Sequence, residues 1–118
     1  MNIEEFREYC LSKKGTSEDT PFGPDTLVIR VLGKIFVLTG LDSIEFKANL
    51  KCEPNYAIEL REQHDFIVPG FHMNKVHWNT VYIEKAGSKL AKSLIDHSYE
   101  QVLKGFSKKE KEQFTLLT

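Results

Sequence analysis

Apolar positions first recur at helical spacing. Ile3, Phe6, Tyr9 and Cys10 fall on one stripe. Asn2 followed by Glu5 has the spacing of a capping box, and Lys13-Lys14 before Gly15 suits a helix end. The pattern predicts a helix over residues 3–14. Residues 15–25 break that period. Two prolines and a glycine in Pro21-Phe22-Gly23-Pro24 predict an irregular loop, with Phe22 turned inward to plug the core.

The period then shortens to two. Residues 26–31 place Leu27, Ile29 and Val31 on one face, and Leu32-Gly33 predicts a tight hairpin into a second strand over 34–39. Residues 44–50 alternate most cleanly, with Ile44, Phe46, Ala48 and Leu50 inward and Glu45, Lys47 and Asn49 outward. These three strands read as an antiparallel meander with one wet face. Pro54 suits a first helical turn, and Tyr56, Ala57 and Leu60 make the stripe of a second helix over 54–63. Phe66-Ile67-Val68 is a short apolar run. Residues 78–83 form a strand with Trp78, Thr80 and Tyr82 on one face; Phe71 to Met73 would pair with it around a bend at Asn74-Lys75-Val76. Ser88 is a fitting N-cap for the longest helix, ending at Lys104-Gly105, with Leu90, Ala91, Leu94, Ile95, Tyr99, Val102, Leu103 and Phe106 inward. Ser107 and Glu110 form a second capping box for a terminal helix that turns Phe114 and Leu117 inward.

The order α-β-β-β-α-β-β-α-α describes an α+β, two-layer domain spanning residues 1–118. Its antiparallel sheet has about five strands, with helices on one face. Composition agrees: 41% hydrophobic and 28% charged residues belong to a globular chain. No apolar run suits a membrane span and the acidic N-terminus has no signal-peptide core, so a cytoplasmic location without membrane partners is expected. Cys10 and Cys52 lack CxxC spacing and read as buried thiols. The net charge of −1 argues mildly against a dedicated nucleic-acid binder. Yet residues 66–92 hold Lys75, Lys85, Lys89 and Lys92 against Glu84 alone, which makes this the basic third of the chain.

That third contains a run of unusual density, Pro69-Gly70-Phe71-His72-Met73-Asn74-Lys75-Val76-His77-Trp78-Asn79-Thr80-Val81. It holds two of four histidines and the sole tryptophan. His72 and His77 match neither a helical pair nor one face of a strand, and no further ligands stand nearby, so no metal site is expected. Asp96-His97-Ser98 has the letters of a triad, but consecutive helix residues point to different sides. Hydrogen bonding from the long helix to its neighbours is the expected role of Ser98 and Tyr99. Nothing supports an enzyme or a cofactor. Trp78 taken alone reads as core packing. Taken with its neighbours it suggests a binding face: Lys75 and His77 for phosphate, Asn74 and Asn79 for a base edge or peptide, with Lys34 extending the patch.

Pro21-Phe22-Gly23, Gly33-Lys34-Ile35-Phe36, the 69–81 run and Asp96-His97-Ser98-Tyr99 together resemble the MmcQ/YjbR family, in that family's order and over nearly the whole chain. Phe71 stands where a Tyr is common there. The resemblance implies a bacterial cytoplasmic domain with a fold like that of type III secretion chaperones. It also implies DNA binding through two hairpin wings. The site residues would be Lys34, His72, Asn74, Lys75, His77, Trp78 and Asn79. Two other readings use the same run. A protein partner would anchor on the Phe71–Trp78 surface, and a small-molecule site would require a concave pocket at the motif.

Overall fold

The computed structural model describes residues 1–117. Helix α1 (Ile3–Leu11) precedes strands β1 (Thr16–Asp19), β2 (Thr26–Val31), β3 (Lys34–Gly40) and β4 (Lys47–Lys51). Then come α2 (Pro54–Gln63), β5 (Ile67–Pro69), β6 (Trp78–Tyr82), the short α3 (Ile83–Ala86), the long α4 (Ser88–Lys104) and α5 (Lys108–Leu116). The strands form one antiparallel sheet in the order β1-β2-β3-β4-β6-β5.

Local chemistry sets several of these boundaries. Both expected capping boxes close, Asn2 with Glu5 and Ser107 with Glu110. The Glu53 carboxylate accepts the Asn55 and Tyr56 N–H groups ahead of Pro54, which starts α2. Leu32 and Gly33 both take positive φ, 45° and 81°, the mirror-image turn that suits the twist of a two-residue hairpin. Between Ile29 and Arg30 the β2–β3 register slips by one residue of β3. Phe36 is the extra residue, and the bulge lets both Phe36 and Val37 enter the core.

The sheet's two faces differ. Leu27, Ile29, Ala48, Leu50, Val81 and Ile67 meet Phe6 and Cys10 of α1, Ala57 and Leu60 of α2, and Ala91, Leu94, Ile95 and Val102 of α4. All the core helices lie on this side. On the other side the register aligns Val28, Leu38, Asn49, Thr80 and Val68 in one row across the strands. No helix among the described residues covers that row. Loops 20–25 and 70–77 flank it instead.

The architecture matches expectation, with one strand and one short helix more; α3 takes Ile83 from the strand expected over 78–83. β1 lies in the segment read as loop, and its sequence Thr-Ser-Glu-Asp has no apolar alternation to reveal it. It is held from the side: Arg7 pairs with Glu18, and Arg30 with Asp19. Helix α1 stops at Leu11 rather than residue 14, and the Thr16 hydroxyl donates to the Lys13 carbonyl in the turn that follows. Phe22 does not plug the core; it is 66% exposed, on a loop too short and too proline-bound to fold back. β4 starts at Lys47, which leaves Ile44 in solvent, although Phe46 does pack on the core. Residues 71–73 are not a strand. β5 is Ile67–Pro69, and the Phe71 N–H goes to the Thr80 hydroxyl instead of a ladder partner. Gly87, at φ 80°, is the N-cap of α4, so Ser88 is its first residue and caps nothing. Phe114 packs inward, while Leu117 stays at the surface over Gly15.

Cys10 and Cys52 are buried free thiols, and burial pushes each up to about 12. They are neutral apolar fillers at physiological pH. No helix among the described residues is long and apolar enough to cross a membrane.

Candidate functional site

The polar run at 96–99 is absorbed by the fold. The Asp96 carboxylate accepts from the Tyr9 hydroxyl at 2.6 Å and pairs with Lys13, which joins α4 to α1. These two donors hold Asp96 below the usual carboxylate range against the opposing effect of burial. His97 Nε2 accepts the Glu53 N–H at 3.1 Å. Ser98, fully buried, accepts the Lys51 N–H at 2.8 Å and donates to the Phe36 carbonyl at 2.6 Å. The Tyr99 hydroxyl donates to the Lys14 carbonyl. Four consecutive side chains reach four separate places, as adjacent helical residues must, so no proton relay forms among them. The expected tethering by Ser98 and Tyr99 is what they do.

The 70–77 loop is held mainly through its backbone. The Gly70 N–H donates to the Trp78 carbonyl at 2.9 Å. A Cβ at Gly70 would stand 2.8 Å from the Trp78 Cβ and 3.0 Å from that carbonyl oxygen, so this crossing admits nothing larger than hydrogen. Phe71 is held at both ends. Its N–H donates to Thr80 Oγ1 at 2.9 Å, and its carbonyl accepts from Asn49 Nδ2 at 3.1 Å. Thr80 Oγ1 donates in turn to Asn49 Oδ1, which closes a ring in which every polar group has a partner. His72 takes φ 59°, a left-handed conformation that turns the chain back over the sheet. Arg61 of α2 donates to the Lys75 carbonyl at 3.0 Å, and the Cys52 N–H donates to the His77 carbonyl at 2.8 Å.

Between this loop and loop 20–25, the helix-free face holds a cleft of about 440 Å³. Phe71, His72 and Met73 form one wall and Phe22 the other. Leu38, Asn49, Thr80 and Lys47 belong to the floor. The Lys47 ammonium sits 5.0 Å from the Phe71 ring centroid and 5.7 Å from that of Tyr82, both within cation–π reach. The volume falls within the range of small-molecule sites, about 300–1,000 Å³.

The residues expected to form one surface are dispersed. His72 lines the cleft. Asn74 caps its own turn, its Oδ1 accepting the Val76 N–H. The Lys75 ammonium donates to the Gly70 carbonyl at 2.8 Å. His77 is exposed beyond the loop. Trp78 is half-buried outside the core cluster, in the row it shares with Thr80 and Tyr82 on the helix-free face, which corrects its reading as core. Asn79, only 2% exposed, points the other way: it donates to the Ala57 carbonyl and accepts from Arg61, so no ligand reaches it. Lys34 lies on the helix-bearing side, 3.3 Å from the Glu110 carboxylate and over the Phe106 ring, and adds nothing to the loop. Sequence reasoning overlooked Lys47, Asn49, Thr80 and Arg61. The outward positions of Lys47 and Asn49 in the clean alternation of β4 were a usable signal; Arg61 gave none.

The YjbR family model matches residues 11–101. The chain belongs to the YjbR family. It is 37% identical to YbdF of Escherichia coli O157:H7 over 95 residues, covering 79% of this chain and 77% of that one. It is 31% identical to YjbR of E. coli K12 over 104 residues, covering 87% and 88%. Among solved structures it is similar to the Deinococcus radiodurans protein DR2400, with TM-score 0.88, 34% identity and coverage of 98% and 88%. A Pseudomonas syringae protein aligns with TM-score 0.74, 31% identity and coverage of 86% and 98%. The YjbR-matched span contains both polar runs and every floor residue of the cleft. Among the described residues no group of three His, Cys, Asp or Glu side chains is placed to hold a metal ion.

Proposed function

We propose that this YjbR-family chain is a non-enzymatic binding module whose site is the cleft on the helix-free face, and that it takes a small ligand with an apolar body. The observation that carries this reading is the fixing of Phe71. Two buried polar side chains hold its backbone at both ends, so that Phe71, 43% exposed, presents its ring to the cleft from a fixed main chain. A ring held this way is preorganised for contact, and preorganisation lowers the entropy cost of binding. The volume of the cleft suits a small molecule, since clefts of about 300–1,000 Å³ enclose most of such a ligand's surface.

DNA binding through wings, the function implied by the family resemblance, is less well supported by this geometry. Of the three expected phosphate contacts, Lys34 lies across the sheet and the Lys75 ammonium is spent on its own loop. Affinity for a duplex grows with the number of phosphates neutralised together. Titrating uncharged octan-1-ol into isotope-labelled protein tests the proposal, with fluorescent duplex and single-stranded DNA titrated in parallel at two salt concentrations. Amide shifts should centre on Phe71, Met73 and Thr80, and DNA should produce no salt-dependent binding. Absence of shifts at the cleft, with octan-1-ol and with its carboxylate analogue octanoate alike, overturns the proposal. So does duplex binding that weakens with salt and is lost in Lys75→Glu, which would restore the nucleic-acid reading.

A further inference from the structure

The floor of the cleft carries a charge that the protein leaves unanswered. Lys13, Lys34, Arg7 and Arg30 each pair with a carboxylate. Lys47 pairs with none among the described residues, and its ammonium faces two aromatic rings instead. Among the described residues, no Asp or Glu lines the cleft. Asp42 stands beside Gly40 at one end, its Oδ1 3.7 Å from where a Gly40 Cβ would stand. His72 adds an imidazole ring on the loop wall. Of the other lining residues, Phe22, Leu38, Phe71 and Met73 are apolar, and Thr26, Asn49 and Thr80 are polar but uncharged.

Resting on the cleft as the binding site, we infer that its ligand is a small monocarboxylic acid with an aliphatic or aromatic body. The body lies between Phe22 and Phe71, and the carboxylate meets the Lys47 ammonium. The rings that hold Lys47 limit its freedom, so little rotamer entropy is lost when the anion arrives. The pairing is charge-assisted and partly shielded by the loop walls, conditions under which such a contact outweighs one on an open surface. A dianion or a phosphate chain would need more cations than the cleft supplies. A neutral ligand would leave the ammonium unanswered.

Comparing octanoate with octan-1-ol on the same protein tests this, with dissociation constants read from the shifts of the cleft amides at pH 7.5 and low salt. Octanoate should bind about tenfold more tightly than octan-1-ol, a ratio of the size a charge-assisted contact supplies. In Lys47→Gln the advantage of octanoate should vanish, the two ligands then binding with affinities within about twofold of each other. Equal affinity of the two ligands for the wild type overturns the inference and leaves the cleft reading standing, and it needs no variant to fold. An octanoate advantage that survives Lys47→Gln also overturns it. Failure of both ligands to shift cleft amides removes the cleft reading as well.

Discussion

The runs at 96–99 and 70–77 each carry four polar side chains, and the fold uses them in opposite ways. In the first, the side chains make the bonds: Asp96 to α1, His97 to the start of α2, Ser98 to two strands, Tyr99 to the turn after α1. In the second, the backbone makes most of them. Gly70, Phe71, Lys75 and His77 are bonded through main-chain atoms to β4, β6 and α2, and the rings of Phe71 and His72 are left to face the cleft. A run whose side chains hold the fold has no chemistry left for a partner. A run held mainly by its backbone can leave side chains free, as this one leaves those of Phe71 and His72.

The sharpest way to break this contrast is to remove a side chain from the first run. Ser98→Ala strands the Lys51 N–H and the Phe36 carbonyl in a buried site, and an unmet buried polar group costs about 1–3 kcal/mol. Unfolding in urea should show a loss of about 3 kcal/mol. In the second run the comparable lesion is steric. Gly70→Ala forces a methyl into the Trp78 backbone, and overpacking of this kind costs about 1–3 kcal/mol, so a loss of about 2 kcal/mol is expected in the same assay. A Gly70→Ala protein as stable as wild type would mean that the loop adjusts freely, and the wall would then not be rigid.

The larger part of the fold was legible in hydrophobic periods. Helices α1, α2, α4 and α5 and the β2–β3–β4 meander each carry an apolar stripe against polar neighbours. The failures share a cause. β1 is made of Thr16, Ser17, Glu18 and Asp19, and is held by ion pairs that a hydrophobic pattern does not register. Phe22 and Ile44 are apolar yet exposed, because what surrounds them is turn geometry rather than core. The site was half legible. The 69–81 run was visible as an anomaly, but its side chains had to be divided between two faces. Asn79 and Thr80 are neighbours in sequence and point to opposite sides of β6. The floor residues Lys47 and Asn49 come from a strand some thirty residues earlier, and tertiary pairing alone brings them to Phe71.

Within the second run, wall and support can be separated. Thr80→Val keeps the shape but removes the acceptor of the Phe71 N–H and the donor to Asn49. A loss of about 1.5 kcal/mol is expected, with faster amide exchange at Phe71 than in wild type. Phe71→Ala removes an exposed ring and leaves the backbone bonds intact. Its stability should change by about 0.5 kcal/mol, while any ligand of the cleft loses its wall. Thermal unfolding and ligand titration on the two variants separate the roles. Equal losses of stability would mean that the Phe71 ring is part of the packing rather than a surface left for binding.

The smallest effect belongs to the first run and depends on pH. His97 Nε2 must be unprotonated to accept the Glu53 N–H, and burial lowers the His97 pKa below its ordinary value of 6.5. Glu100 and Glu53 oppose that shift and Lys104 adds to it. The unfolded chain therefore takes up the His97 proton at a higher pH than the folded chain does. By linkage, the contribution of His97 is fully present above about pH 6.5 and is lost as pH falls through the lowered folded value. The carboxylates with lowered values (Glu18, Glu53, Asp96 and Glu110) titrate below this window. Urea unfolding of wild type at pH 7.5 and 5.5, compared with His97→Gln, isolates the term, because a glutamine carbonyl can still accept the Glu53 N–H but binds no proton. Wild type should lose more stability than the variant across that interval. If the two fall in parallel, the Glu53 bond does not depend on a neutral imidazole, and one of the four tethers in the 96–99 run is not made by its side chain.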